Sequence, residues 1–131
     1  MNRLSSIIIK IILYFPLHLI RYFVSFRKRD NNLWIFGAWN GSAFADNSKY
    51  LFLHLNIYPS DVKSVWITSS KKVIDEISEL GLPVYYLYSF DGLKACLNAG
   101  KQFTTHSLYD ISPVLTKGST HYCLFHASFP L

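Results

Sequence analysis

Apolar runs separated by turn residues predict a chain in which strands alternate with helices. The segments that predict strands lie at 33–36, 63–68, 84–87, 101–105 and 120–125. The first run, LWIF, is continuously apolar rather than alternating, which is typical of a strand covered on both faces in a parallel sheet. Strands and helices joined by short connections predict a Rossmann-like α/β fold with a parallel sheet of about five strands.

Helices are expected between these strands. Asp46 is expected to cap a helix that ends before Pro59, because its carboxylate can accept hydrogen bonds from the first free amides. Apolar residues at helical spacing predict a second helix from residue 71 to a stop at Gly81, and Ser89 is expected to cap a third helix.

The unit at 33–55 is the first candidate for chemistry. Gly37 and Gly41 permit an open turn between a strand and a helix. Such a turn directs free amides and the positive end of the helix dipole toward the sheet edge, which favours a phosphate. Lys49 adds a mobile cation in the first helical turn. The aromatic residues of this turn, Trp39 and Phe44, either stack on a polyol or sugar unit or belong to the core.

Ligands of open parallel sheets bind at the carboxyl ends of the strands. His106 and His126 both follow predicted strands, so two histidines are expected at this edge together with several hydroxyl side chains. The segments predicted to form the edge are 37–47, 68–70, 88–89, 106–110 and 126–129.

The N-terminal segment 4–26 is long and apolar enough to cross a bilayer, but Lys10 and Arg21 interrupt it and Pro16 lies between them. We therefore expect an amphipathic, membrane-associated helix that lies in the interface, with the basic residues 27–29 against anionic lipid on the cytoplasmic side. The alternatives are a helix docked on the protein's own sheet or on a missing part of the chain, and a cleaved signal peptide.

Charge is divided unevenly along the 131 residues. Residues 1–30 carry six basic side chains and one acidic side chain, whereas the remainder carries seven of each sign. A nucleic-acid-binding domain is expected to carry its positive charge on the folded body, so nucleic acid is not an expected partner.

The remaining reactive side chains are not arranged as a metal or redox centre in the sequence. Cys96 and Cys123 lie in different predicted elements without CxxC spacing, so both are expected to be reduced thiols, and no metal is expected. His54 lies within a predicted helix and His121 within a predicted strand, and both are expected to be structural.

Several short fragments occur in an order that is similar to a known family. They are FG at 36–37, DNSKYLF at 46–52, VWIT at 65–68, Gly81 before the third strand, His106 followed by DI at 110–111, and LFH at 124–126 followed by Pro130. Together they resemble the CDP-glycerol glycerophosphotransferase family, the polymerases and primases of teichoic acids and related polyol-phosphate capsules. The resemblance covers residues 33 to 131, and the fragment at 46–52 is its most diagnostic part.

The resemblance implies a GT-B enzyme with two Rossmann-like domains and its active site between them. Residues 33–131 would be the acceptor-side domain, and residues 1–29 would hold it peripherally at the cytoplasmic face of the cell membrane. A hydroxyl of a lipid-linked polyol-phosphate acceptor would attack the β-phosphorus of CDP-glycerol or CDP-ribitol, and CMP would leave. The CDP-polyol is the donor substrate, and no cofactor is implied.

The resemblance also implies the roles of individual residues. His126 would be the catalytic base, and its alternative is a polar residue in a tail. The substrate-binding residues would be Gly37, Gly41, Asp46, Asn47, Ser48, Lys49, His106 and Asp110. For His106 and Asp110 the alternative is a histidine that caps a short helix or is satisfied in a loop. For Asp46 and Ser48 the alternative is an ordinary helix cap.

The chain departs from the family in two places. The family has W-H-G-x-P-x-K after the fifth strand, whereas Ala127 replaces the Gly here and the position of the Lys lies beyond Leu131. The donor-binding half is absent, so the chain is expected to be a fragment or a truncated enzyme that is inactive alone. The alternatives are a non-catalytic remnant and a membrane-associated phosphate- or nucleotide-binding module, although neither GxGxxG nor GxxxxGK[ST] is present.

Overall fold

The computed structural model of the protein describes residues 3–124. Its helices are α1 (Arg3–Ser25), α2 (Asp46–Ile57), α3 (Lys71–Glu79) and α4 (Phe90–Asn98). Its strands are β1 (Asp30–Phe36), β2 (Lys63–Thr68), β3 (Val84–Tyr86), β4 (Ala99–Thr104) and β5 (Thr120–Cys123). Short 3₁₀ turns at Trp39–Gly41 and Leu108–Asp110 follow β1 and β4.

The five strands form one parallel sheet in the order β3-β2-β1-β4-β5. The predicted α/β fold with a five-stranded parallel sheet and an N-terminal apolar helix is therefore confirmed, and the strand order is consistent with a Rossmann-like fold. Two apolar clusters cover the sheet. One contains Ile35, Val65, Ile67 and Cys96, and the other contains Phe36, Phe52, Trp66, Ile77 and Phe103.

Neighbouring residues of β1 and β2 belong to opposite clusters. Ile35 and Phe36 face different layers, and both are fully buried. This two-sided burial explains why the strands are apolar runs without alternation.

β1 and β4 each begin earlier than the sequence predicts. The extra length comes from a pairing of Asp30 with Ala99, ahead of the predicted starts at 33 and 101. Gly100 permits this close approach, because a Cβ at this position would lie 2.7 Å from the Cα of Asn31. The polar sequence DNN at the start of β1 gave no strand signal, which is why the prediction was too short.

The predicted cap of α2 is wrong. Ala45 precedes the helix and makes no side-chain cap, while Asp46 is its first residue and has φ of 63°. The Asp46 carboxylate instead accepts a hydrogen bond from Nε1 of Trp39, at 2.6 Å. The predicted cap at Ser89 is confirmed, since its hydroxyl accepts a hydrogen bond from the N–H of Gly92 at 3.0 Å.

α1 projects from the folded body and continues through Pro16. Only Val24 is buried within this helix, which is described over its whole length. The alternative in which the helix docks on the protein's own sheet is therefore wrong for the described residues. With 23 residues α1 is long and apolar enough to cross a bilayer by length and composition.

Arg29 does not extend toward solvent with the rest of the basic arm. Its guanidinium donates hydrogen bonds to the carbonyl oxygens of Cys96, Ala99, Leu115 and Lys117, at 2.8–3.2 Å. The expectation that Arg29 meets anionic lipid is therefore corrected, because its side chain fastens the arm to α4, β4 and the segment before β5. Arg27 also turns inward and donates two hydrogen bonds to Oδ1 of Asn98.

Both cysteines are free thiols. Cys96 is fully buried beside the sheet, and this burial raises the pKa of its thiol to about 12. A thiol with so high a pKa stays protonated at neutral pH and is a poor nucleophile. Cys123 is partly exposed near the end of β5.

Candidate functional site

The candidate site lies between the carboxyl ends of β1 and β4. These two strands are neighbours in the sheet, but the chain leaves them toward opposite layers. After β1 it forms α2, whose Phe52 belongs to one apolar cluster, and after β4 it continues to Ile111, which belongs to the other. A change of direction of this kind opens a crevice at the strand ends, where doubly wound sheets bind their ligands.

Asp110 joins the two loops of this crevice. Its Oδ1 accepts a hydrogen bond from the N–H of Asn40 at 2.8 Å, across 70 residues of sequence. Its Oδ2 accepts from the N–H groups of Thr105 and His106 and from the Thr105 hydroxyl, at 2.8, 2.9 and 3.1 Å. Burial by itself would raise the pKa of Asp110, but these hydrogen bonds outweigh it and leave the pKa below its usual value.

The position of Asp110 changes the interpretation of the glycine turn. The carboxylate is 1% exposed, so it holds the loops in place instead of facing the crevice. It also occupies the amide of Asn40, which belongs to the turn expected to receive a phosphate. The Asp46 carboxylate lies beside the same turn, on the indole of Trp39. Two negative side chains therefore lie where the sequence alone predicted an anion seat.

His106 is linked to Asp110 through Thr105. Nδ1 of His106 lies 2.9 Å from Oγ1 of Thr105. Because the Thr105 hydroxyl donates its proton to Asp110, its oxygen is the acceptor toward the imidazole, and Nδ1 carries the proton. This contact fixes the orientation of the exposed imidazole at the carboxyl end of β4.

Trp39 packs directly against His106 at the carboxyl ends of β1 and β4. Its ring centroid lies 4.6 Å from that of His106, and 41% of its surface is exposed. Trp39 and Asn40 have φ of 50° and 54°, in the left-handed region that residues with a Cβ adopt rarely. Strained backbone of this kind concentrates at binding and catalytic sites. The sequence contained one usable signal, the Asn40-Gly41 pair, which is typical of a left-handed turn.

The two predicted glycines allow the loops to approach each other. A Cβ on Gly37 would lie 2.7 Å from the carbonyl oxygen of Asp110. Gly41 has φ of 82°, and its carbonyl accepts a hydrogen bond from Oγ1 of Thr68 at 2.5 Å. Both glycines therefore shape the site through the backbone.

The start of α2 contributes less than the sequence predicts. Asn47 is exposed, but Ser48 is fully buried, and its hydroxyl has no hydrogen-bond partner among residues 3–124. Nζ of Lys49 lies 5.0 Å from the ring centroid of Phe44. Phe44 is 6% exposed and belongs to the core, which was one of the two alternatives for the aromatic residues of this turn. Trp39, the other aromatic residue of the turn, is accessible.

His126 lies outside the described residues. The described chain ends beside the site, because Sγ of Cys123 lies 3.6 Å from the carbonyl oxygens of Thr105 and His106. His121 lies within β5, where its Nε2 is 2.6 Å from the Thr104 hydroxyl. His54 lies within α2 and contacts the ring of Tyr58.

Residues 3–124 contain no group of three metal-ligating side chains placed around one point. The chemistry that they can supply at the crevice is an oriented imidazole, an aromatic face and polar loop groups. Comparison with protein families, curated proteins and solved structures finds no match for this chain.

Proposed function

We propose that the chain is the acceptor-side domain of a transferase of the CDP-glycerol glycerophosphotransferase type, the N-terminal half of a GT-B enzyme at the cytoplasmic face of a membrane. The observation that carries this proposal is the hydrogen-bonded series His106–Thr105–Asp110 beside Trp39, at the sheet edge where doubly wound folds bind ligands. The ordered fragments between Phe36 and Pro130 give the reaction class.

In this proposal the reactive end of the acceptor lies against the exposed side of the Trp39–His106 ring pair. The exposed indole covers the polyol carbons, and the imidazole of His106 forms a hydrogen bond with a polyol hydroxyl. The terminal hydroxyl attacks the β-phosphorus of CDP-glycerol or CDP-ribitol, the bond to CMP breaks, and His126 takes the hydroxyl proton. The transferred phosphate becomes a phosphodiester of the growing polymer.

The charges at the crevice favour a hydroxyl over a phosphate as its direct occupant. Asp110 and Asp46 place negative charge near the loop amides, and a bound phosphate would be repelled by both carboxylates. We therefore assign the donor phosphates to groups contributed by a second domain. The acceptor side supplies orientation, which lowers the entropic barrier of the transfer.

The test measures acceptor binding to the chain. A soluble glycerol-phosphate or ribitol-phosphate oligomer is expected to change the fluorescence of Trp39, and the Trp39→Phe variant is expected to lose this signal. His106→Ala should weaken binding about tenfold, because a hydrogen bond and an aromatic contact are lost. The matched control is His54→Ala on α2, which should bind as the wild type does.

Equal affinity of the two histidine variants, or absence of oligomer binding, would contradict the proposal. Transfer is measured separately, with radiolabelled CDP-glycerol and CDP-ribitol and the donor-binding half supplied. His126→Ala is expected to abolish transfer in that assay without weakening oligomer binding. Binding of CDP to the chain alone would instead favour a nucleotide-binding module.

A further inference from the structure

The edge of the sheet where the strands begin contains a second candidate site. Two adjoining cavities of about 420 and 180 Å³ open there and share Leu33, Lys63 and Asn98. The first also contacts Lys28, and the second contacts Lys94. Three lysines therefore line one continuous depression at the edge opposite the proposed transferase site.

The fold explains why these lysines meet. Lys28 lies between α1 and β1. Lys63 is the first residue of β2, which is the neighbour of β1 in the sheet. Lys94 lies on α4, which leads straight into the start of β4. Lys28, Lys63 and Lys94 are all exposed.

Positive charge exceeds negative charge at this edge. The two cavities contact Lys28, Lys63, Lys94 and Arg29, against the carboxylates of Asp30 and Asp91. Oδ1 of Asp30 already accepts a hydrogen bond from the N–H of Asn32, at 2.9 Å. Lys28 and Arg29 come from the basic N-terminal segment, and the fold adds Lys63 and Lys94 from the otherwise neutral remainder of the chain.

α1 joins the folded body at the same edge, and hydrogen bonds fix the segment that connects them. Arg29 donates to four carbonyl oxygens of the body, and Arg27 donates to Asn98, which also lines both cavities. The apolar side chains of α1 are exposed almost throughout the helix. When α1 enters lipid, the lysine-lined depression is therefore brought to the level of the headgroups.

We infer that this depression binds the phosphate headgroups of anionic lipids, with Lys28, Lys63 and Lys94 as the cations that contact them. Lysine side chains at a membrane surface attract anionic lipid, and the apolar helix next to them supplies the insertion that holds the protein there. The inference rests on the membrane attachment in the proposed function and is independent of the transferase reaction.

The experiment compares two charge-matched variants of the full chain in vesicle flotation. Lys63→Gln/Lys94→Gln removes two cations from the depression. Lys71→Gln/Lys72→Gln removes two exposed cations from the start of α3, at the opposite edge of the sheet. We expect the first pair to weaken binding to phosphatidylglycerol vesicles about thirtyfold and the second pair to weaken it less than about twofold.

Equal losses in the two variants would overturn the inference, because the attraction would then depend on net charge alone. Equal binding of the wild-type chain to phosphatidylcholine and phosphatidylglycerol vesicles would also overturn it, while leaving attachment through α1 intact. If the wild-type chain prefers phosphatidylglycerol vesicles but transfers no polyol phosphate when the donor-binding half is supplied, only the proposed reaction is contradicted.

Discussion

Asp110 shows how one residue can determine the geometry of the candidate site. Its carboxylate accepts hydrogen bonds from both loops of the crevice, and almost none of its surface reaches solvent. A neutral amide at this position would offer one acceptor oxygen and present N–H groups to backbone N–H groups. The conformation of the two loops therefore depends on an ionised side chain that is itself almost inaccessible to solvent.

We predict that Asp110→Asn lowers the free energy of unfolding by about 2–3 kcal/mol, because buried donors lose a charged acceptor. Urea unfolding measures the change. The matched control is Asp91→Asn, an exposed carboxylate in the first turn of α4, which should cost less than about 1 kcal/mol. Equal losses in the two variants would show that Asp110 is not the residue that holds the loops.

The same carboxylate predicts a pH dependence. Because the pKa of Asp110 is lower in the folded protein than its unfolded value of about 3.9, its stabilisation is fully present above about pH 4 and is lost as the pH falls through the folded pKa. The unfolding free energies of wild type and Asp110→Asn should therefore converge in acid. A constant difference between about pH 7 and pH 3, measured by urea unfolding, would contradict this assignment.

At the scale of elements, the apolar pattern predicted the strands because burial on both faces leaves a direct mark on the sequence. The predicted bounds of β2 agree with the structure, and every residue of the strand after Lys63 is buried. The start of β1 was missed because Asp30 pairs through its backbone, which side-chain polarity does not report. The cap of α2 was wrong because the indole of Trp39 competes for the Asp46 carboxylate.

Arg29 is the residue that joins the N-terminal arm to the rest of the fold. We predict that Arg29→Gln lowers the free energy of unfolding by about 2–3 kcal/mol, because four carbonyl oxygens lose a charged donor. Arg27→Gln is the matched control. It removes an exposed contact with Asn98 and should cost less than about 1 kcal/mol in the same urea unfolding experiment.

At the scale of the whole molecule, the sheet has two edges with different surroundings. The sequence predicted which edge would carry ligands, because that rule depends only on parallel strands. It did not predict that Trp39 contacts His106 or that Lys63 and Lys94 line one cavity, since each pair joins residues far apart in the chain. The basic arm was assigned to lipid as a unit, whereas Arg29 forms hydrogen bonds within the fold, and Lys63 and Lys94 of the body line the depression beside Lys28.

We predict that removing residues 1–23 abolishes vesicle binding and changes the free energy of unfolding by less than about 1 kcal/mol. The reason is that the removed part of α1 buries no side chain on the body, since Val24 is retained. Flotation and urea unfolding of the shortened chain test the two halves of the prediction. Binding that survives the deletion, or a large loss of stability, would show that α1 has a different role.

The length of β1 has a consequence for the acceptor. Its seven residues separate the lysine-lined edge from Trp39 by roughly 20 Å, at about 3.3 Å per residue. Under the proposed attachment, the growing end of a lipid-tethered substrate has to reach across that height along the strand. We therefore predict that the proposed reaction, if measured, favours acceptors several units long over a bare lipid-linked starter.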